Sequence, residues 1–398
     1  MASLAALLLA FMAAPAIQAP AAASFQPDEL LRPPGGPEIA VFHSVPPEVV
    51  SFRLSVPLLE SRDEAGAGQL IQLQAQERIT VLAARIGARA EVHRTPQALV
   101  YEVSGASADL DFLAWILREG LRRPSSEEFE GARRQLQVEL DRRMETPQGV
   151  LFLRVREALA PGAISVAGAP GSLDRMDISR VQAVWARSHR RQDLRLVVAA
   201  RLPSELILSA VSGLGLGPET VVPQLPPLQD TGAPRPTPEV IRHWTVHAFA
   251  MGSGPEAASL VGARWMAEVL REAGGDFEAG VEIWDMGEAR ALVLSGAAYP
   301  RSRQSMDSRI RSLPADAAAR LTDSDVRRMA DGLRTDIILE GRTPWGLTEL
   351  VGQAWDSGHG PDGVELLLSN LASLSHQQVL GFLQFLANAI PLREELHP

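Results

Sequence analysis

The sequence predicts an α+β fold of two similar halves, each an antiparallel β-sheet covered by helices on one face. Three observations lead to this prediction. In both parts of the chain, short apolar or alternating runs typical of strands are followed by longer segments with helical periodicity. A proline-rich segment, residues 216–239, lies between them. Two short motifs also recur at matching places, which indicates a duplicated unit.

The first half is predicted to run as a strand, a helix, two strands, several helices and a last strand. Residues 49–56 alternate like a strand with one buried face. The first helix is expected from Gln69 to Ile86, with Gly87 as its C-terminal stop. The other predicted strands are residues 90–94, 98–103 and 194–200, and the other predicted helices are residues 109–121, 125–144, 149–159 and 178–187.

The second half repeats this order. It is predicted to consist of a strand at residues 243–251, a helix at 256–272, strands at 277–284 and 289–294, and then helices to the end. Ser-Gly-Ala follows the matching strand in both halves, at residues 104–106 and 295–297. Thr-Pro-x-Gly follows a long polar helix in both halves, at residues 146–149 and 343–346. The shared positions of these motifs favour a duplication.

The composition is that of an ordinary globular protein without cysteine chemistry. Of the 398 residues, 46% are hydrophobic and 22% are charged, so the chain can form two full cores. We predict domains at residues 39–215 and 240–398, joined by the linker at 216–239. The net charge of −10 argues against nucleic-acid binding, because a basic surplus is needed to neutralise phosphates. The lack of cysteine excludes disulfides and thiolate metal sites.

Residues 1–23 are interpreted as a signal peptide. An apolar run from Ala2 to Met12 leads into Ala/Pro-rich sequence, and the small residues Ala21 and Ala23 offer a cleavage site. The segment lacks a basic n-region. The alternative is a retained membrane anchor, for which the segment is short. We therefore expect a periplasmic or otherwise exported protein, with any membrane association through this segment only.

The most informative segment is a glycine-rich turn that leads into the first predicted helix. Gly66 is followed by Gln69, Gln72 and Leu73. This placement resembles the start of the active-site helix of M16 zinc peptidases, the family of insulinase, pitrilysin and mitochondrial processing peptidase. In that family a Gly-x-x-His-x-x-Glu-His motif supplies two zinc ligands one helical turn apart and a general base. Here Gln69 and Leu73 stand at the histidine positions and Gln72 at the glutamate position.

These replacements remove the chemistry of the motif. An amide is a poor zinc ligand and is not a base near neutral pH, and leucine cannot ligate a metal. The resemblance extends from Ile39 to about Asn388. It implies the metallohydrolase fold of the LuxS/mitochondrial-processing-peptidase type in a catalytically degenerate member, a pseudopeptidase without a zinc cofactor.

Two further positions follow from the resemblance. The family's third zinc ligand is a glutamate on a later helix, and Glu139 is the matching residue, whereas Ala132 takes the place of a second family glutamate. Relatives also carry an Arg, followed by a Tyr, that reaches the substrate backbone from the second domain. Arg271 matches this Arg, although Phe277 is the nearest aromatic residue. Arg271 is thus the expected substrate-binding residue; the alternative is a helix C-terminal Arg that interacts with the macrodipole.

The histidines offer no metal site by sequence. His243 and His247 have the spacing of zinc ligands on a helix, but their surroundings are typical of a strand. On a strand they would lie about 13 Å apart, too far for one metal ion. His189 is interpreted as structural.

The resemblance implies a non-catalytic M16-like subunit. In this family an inactive chain often pairs with an active zinc peptidase subunit, and the two enclose a chamber for a peptide substrate. Such a chain would help to hold an extended peptide by strand addition to a sheet edge. Two alternatives stay open. One is a stand-alone peptide-binding scaffold, and the other is a residual hydrolase with an unorthodox site, built from Glu64, Glu77 and Glu139.

Overall fold

A computed structural model describes residues 24–34, 36–160, 173–212, 214, 238–251, 256–286 and 289–398. The predicted signal peptide and residues 216–237 of the predicted linker lie outside these ranges. None of the helices within them combines the length and the apolar character that a membrane span requires.

The strands form two sheets, one from each half of the chain. They are β1 (Glu29–Leu31), β2 (Glu38–Phe42), β3 (Val49–Pro57), β4 (Arg89–Arg94), β5 (Ala98–Ala106), β6 (Arg195–Ala200), β7 (His243–Met251), β8 (Phe277–Asp285), β9 (Arg290–Ala298) and β10 (Leu392–Leu396). The first sheet has the order β1-β2-β6-β3-β5-β4, and the second has the order β10-β7-β9-β8. Neighbouring strands are antiparallel except β2 and β6, which are parallel.

Helices cover both sheets, and the predicted α+β fold is confirmed. The helices are α1 (Ala67–Ala84), α2 (Leu110–Gly120), α3 (Ser126–Glu145), α4 (Pro147–Leu159), α5 (Ile178–Ser188), α6 (Ser204–Ser212), α7 (Glu256–Ala273), α8 (Arg303–Arg320), α9 (Asp323–Glu340), α10 (Pro344–Asp356), α11 (Gly363–Ala372) and α12 (His376–Asn388). The turn after α1 closes as predicted. Gly87 has φ of 66°, and Ala88 N donates to Ala83 O at 3.0 Å.

The second sheet repeats four strands of the first. Its order, β10-β7-β9-β8, matches β6-β3-β5-β4, and the Ser-Gly-Ala motifs lie in the matching strands β5 and β9. The prediction of helices to the end of the chain is wrong, because β10 pairs with β7 as β6 pairs with β3. The sequence pattern does not indicate the strands β1 and β2, which lie on either side of the proline- and glycine-rich residues 33–37.

Both Thr-Pro-x-Gly motifs begin a helix in the same way. Thr146 Oγ1 accepts a hydrogen bond from Gly149 N at 3.2 Å, and Thr343 Oγ1 accepts one from Gly346 N at 3.0 Å. A Cβ atom would lie 2.2 Å from a carbonyl oxygen of the preceding helix at Gly149, and 2.1 Å from the equivalent oxygen at Gly346. Both turns therefore require glycine, because the obstacle is backbone and cannot rotate away.

Replacing Gly346 or Gly149 with alanine is expected to lower the free energy of unfolding by about 1 to 3 kcal/mol, as overpacking does. Urea denaturation would measure the loss. Gly131 is the control, because a Cβ there meets no atom within 4 Å and alanine is the better helix former. A Gly346→Ala variant as stable as Gly131→Ala would contradict the interpretation.

The helix after each of these turns packs on the sheet of the other half. On the first sheet, Ala40, Phe42, Val197 and Ala199 contact Leu347, Val351 and Trp355 of α10. On the second sheet, Val246, Ala248, Ala291 and Val293 contact Val150, Leu151 and Val155 of α4. The expectation that helices cover one face is therefore wrong. For the same reason, the middle residues of β3 are buried on both faces.

A buried ion-pair network joins the halves between β3 and α10. The side chain of Arg53 has 0% exposure, and its Nη2 atom lies 2.9 Å from Asp356 Oδ2 and its Nε atom 3.4 Å from Glu102 Oε1. Ser55 Oγ accepts from Arg53 Nη1 at 2.7 Å and donates to Asp356 Oδ2 at 2.9 Å. Burial raises the pKa of Glu102 to about 7, against the opposing charge of Arg53.

Candidate functional site at the start of helix α1

Helix α1 begins at the predicted glycine-rich turn. Gly66 is its N-cap, with φ of 102°, a left-handed conformation that glycine adopts without strain. The helix then presents Gln69 and Gln72, both half-buried, and Leu73, which packs against the core of the first half. The helix therefore lies where the motif predicts, and the chemistry depends on what these three side chains contact.

The two glutamines bond to protein groups. Gln69 Nε2 donates to Gln72 Oε1 at 2.6 Å, and Gln72 Nε2 donates to Val92 O at 2.6 Å. Gln72 thus uses its amide to hold the backbone of β4. Leu73 has no atom that could bind a metal. This donor set does not fit zinc, which needs imidazole, thiolate or carboxylate ligands.

A third glutamine of α1 completes the contact with β4. Gln76 Oε1 accepts a hydrogen bond from Val92 N at 2.5 Å. The N–H and C=O groups of Val92 are thus both bonded to α1. No motif in the sequence singles out Gln76, although it lies one helical turn after Gln72 and therefore on the same helix face.

A buried ion pair occupies the N-terminus of α1. Glu60 Oε2 lies 2.5 Å from Arg94 Nη2, with both side chains 1% exposed. Glu60 Oε1 accepts a hydrogen bond from Gly68 N at 3.2 Å, so the carboxylate caps the helix. Burial raises the pKa of Glu60 to about 7, against the charge of Arg94 and the backbone N–H groups of residues 66–68. No sequence pattern indicates this pair, because its two residues are 34 positions apart and lie on different elements.

Glu139 is held on its own helix. Its Oε1 atom accepts a hydrogen bond from Arg143 Nη2 at 2.5 Å, one turn along α3, and its side chain is 37% exposed. Ala132, at the place of the second family glutamate, is buried in the core of the first half. The structure gives Glu139 a surface ion pair with Arg143 on its own helix.

The carboxylates of the alternative hydrolase do not form a site. Glu64 is buried, forms an ion pair with Arg187 and accepts a hydrogen bond from Ser61 Oγ at 2.7 Å. Glu77 is exposed on α1. Throughout the described ranges, no three His, Asp or Glu side chains are grouped so that they could hold a metal ion.

The histidines take structural positions. His243 and His247 lie on β7, as the strand pattern predicts. His247 is buried, and burial together with the charge of Arg393 lowers its pKa. His189 Nε2 lies 2.9 Å from the hydroxyl of Tyr101 in the core, and burial lowers the pKa of His189 to about 3. The ring is therefore neutral and accepts the Tyr101 hydrogen bond.

Arg271 is exposed near the end of α7. A separate cleft of about 390 Å³ lies between the halves. Its wall includes Gln97 of the first half and Glu256 of the second, and Glu256 lies 3.2 Å from Arg290. Neither Arg271 nor the glutamines of α1 line this cleft.

The two sheets, with a helix exchanged between the halves, define a duplicated α+β fold. The sequence of the chain matches no protein-family model and no curated protein. Its fold, in contrast, matches solved structures over nearly the whole chain. The crystal structure of a protease from Helicobacter pylori has a TM-score of 0.78 at 11% identity, and the match covers 94% of this chain and 100% of that chain.

Two further solved structures have a similar fold; one is described as an M16 domain and the other as a periplasmic protease. A peptidase M16 inactive domain from Pseudomonas fluorescens matches with a TM-score of 0.72 at 12% identity, over 92% of this chain and 96% of that chain. The periplasmic protease PqqL from Escherichia coli matches with a TM-score of 0.72 at 10% identity, over 94% of this chain and 46% of that chain. The fold is that of M16-like peptidases, and the predicted resemblance is confirmed at the level of the fold.

Proposed function

We propose that this chain is a catalytically degenerate member of the M16 family, a non-catalytic subunit that pairs with an active zinc peptidase subunit and helps to form a chamber for a peptide. The observation that carries the proposal is the contact between α1 and β4. At the motif positions, Gln69 and Gln72 bond to each other and to Val92 O, and Leu73 packs on the core. The fold is kept, and the helix at the motif position binds the neighbouring strand β4 instead of a metal ion.

The similar structures support the non-catalytic part of this proposal. One of them is described as an inactive M16 domain from Pseudomonas fluorescens, so the fold is found in a domain described as inactive. The periplasmic location of PqqL supports export, which the apolar residues at the start of this chain also favour. Arg271, exposed on α7, is the residue that we propose to contact the peptide from the second half.

Metal analysis and peptide cleavage on the purified chain test the proposal, first with the chain alone and then mixed with an M16-like peptidase encoded nearby. We expect no stoichiometric zinc and no cleavage by the chain alone, and cleavage by the mixture. Zinc at one ion per chain, or turnover by the chain alone, would favour the residual hydrolase. A chain that neither co-purifies with a peptidase nor raises its activity would favour the stand-alone scaffold.

A further inference from the structure

The outward edge of β4 is closed by side chains of α1. In an antiparallel pair, alternate residues turn their N–H and C=O groups away from the neighbouring strand. Thr95 N donates to Ala98 O at 2.9 Å, which makes that pair hydrogen-bonded and turns Val92 outward. Gln72 and Gln76 bond both groups of Val92, at 2.6 and 2.5 Å. These are the positions that an added strand would use.

The matching edge in the second half is β8. Met286 N donates to Ala289 O at 2.9 Å, so by the same alternation Val281 and Ile283 turn their N–H and C=O groups outward. The strand has 9 residues, none of them buried, and spans about 30 Å. A long edge strand without cover is a site for pairing with another chain.

Helix α7 does not close β8 as α1 closes β4. In the described ranges four of its five charged side chains form ion pairs elsewhere, and the fifth, Arg271, is exposed. The pairs are Glu256 with Arg290, Arg264 with Asp336, Glu268 with Arg328 and Glu272 with Arg320. The remaining sheet edges are less suited to a partner. β1 has 3 residues, and on β10 the carbonyl of Glu395 accepts a hydrogen bond from Arg154 Nη1 at 3.3 Å.

The side chains of β8 define the chemistry of a partner strand. Glu278 and Glu282 are exposed and lie on the same face, because they are separated by an even number of residues. On the other face, Phe277, Val281 and Ile283 pack against the core of the second half. Glu278 lies 2.8 Å from Arg242 Nη1, so a strand added beside β8 would place a basic side chain next to Glu282 and apolar side chains next to the core.

We propose that Gln72 and Gln76 close the β4 edge, and that this chain binds an extended segment of alternating basic and apolar residues along the β8 edge. The inference deepens the proposed function, on which it rests for the presence of a peptide. It assigns the peptide contact to β8 in the second half, whereas the degenerate motif lies in the first half. The first half then forms part of the chamber without pairing with the peptide, and β8 of the second half forms the backbone hydrogen bonds.

Hydrogen exchange on the full chain tests this proposal, with a capped nine-residue peptide of alternating Lys and Val as the probe. We expect the peptide to slow exchange at the amides of Val281 and Ile283 by about tenfold or more and to leave Val92 unchanged. A peptide with Glu in place of Lys is expected to have no effect. In the free protein, Gln76→Ala is expected to speed exchange at Val92, because it removes the acceptor of that N–H.

Val281→Pro is the sharpest variant. Proline removes an outward N–H group that β9 does not use, so the β8–β9 ladder is kept while the edge is blocked. We expect the slowing at Ile283 to disappear, whereas the control Val281→Ala retains it. Should Val281→Pro fail to fold, Glu282→Lys tests the same surface. It is expected to abolish binding of the Lys peptide, whereas Glu365→Lys, an exposed acid on α11, is expected to leave it unchanged.

Three results would overturn the proposal: slowing at Val92 in the unmodified protein, no slowing at β8, or binding that persists in folded Val281→Pro and in Glu282→Lys. These results are separate from a failure of the proposed function. Pairing with an active peptidase is measured by co-purification and cleavage, and it can hold while the β8 edge stays free.

Discussion

Replacing Arg53 with methionine is expected to lower the free energy of unfolding by about 3 to 5 kcal/mol, the loss typical of a buried ion pair that is deprived of one partner. Glu102 and Asp356 would be left buried without their shared cation. Because Asp356 ends α10 and Arg53 lies in β3, the variant also weakens the contact between the halves. Urea denaturation would measure the loss of stability.

The matched control is Arg264→Met. Arg264 pairs with Asp336, and both side chains are exposed by 41% or more, so the expected loss is at most about 1 kcal/mol. Neutralising the two carboxylates in the Arg53→Met background, with Glu102→Gln and Asp356→Asn, is expected to recover part of the stability. Equal losses for Arg53→Met and Arg264→Met would show that the network does not hold the halves together.

Replacing Arg94 with methionine is expected to destabilise the chain by a similar amount at pH 8 and by less at pH 5. Without Arg94, burial of Glu60 raises its pKa still further above the ordinary value of 4.5. A raised carboxyl pKa means that the folded state keeps a proton that the unfolded state releases, so stability falls as the pH rises above about 4.5. Urea denaturation at both pH values would measure this slope.

Two further variants separate the charge from the packing. Arg94→Met combined with Glu60→Gln is expected to lose the pH dependence and to recover part of the stability, because no carboxylate is left to be buried. Arg320→Met is the surface control, since Arg320 and Glu272 are both about half exposed and such pairs contribute little. A pH-independent loss in Arg94→Met would mean that removing Arg94 does not raise the pKa of Glu60 further.

The position of the candidate site could be predicted from sequence, but its contacts could not. Gly66, Gln69, Gln72 and Leu73 stand in local order, so their place at the start of α1 follows from a turn and a helical period. The bonds to Val92 depend on which strand forms the sheet edge, and that is a long-range property. The same limit explains why Glu60 and Arg94 were missed.

The repeated motifs predicted the duplication of the fold correctly, whereas the pattern of a single strand, β3, did not predict its burial. Thr343 and Thr146 begin matching helices in both halves. The strand β3 was expected to have one buried face, because Ser51, Arg53 and Ser55 alternate with apolar residues. All three are buried, because α10 covers that face and contacts them through Thr348 and Asp356. A polar residue in an alternating pattern can thus face a second layer instead of water.

The helices α4 and α10 are exchanged between the halves, because each packs on the sheet of the other half. Subunits of a domain-swapped dimer exchange an identical element in this way, and the present chain has the arrangement of such a dimer with its two subunits in one polypeptide. In a half separated from its counterpart, the apolar side of its exchanged helix and one face of its sheet would both be exposed to solvent. Neither half is therefore complete as a folding unit, and the intact chain is expected to melt in one transition.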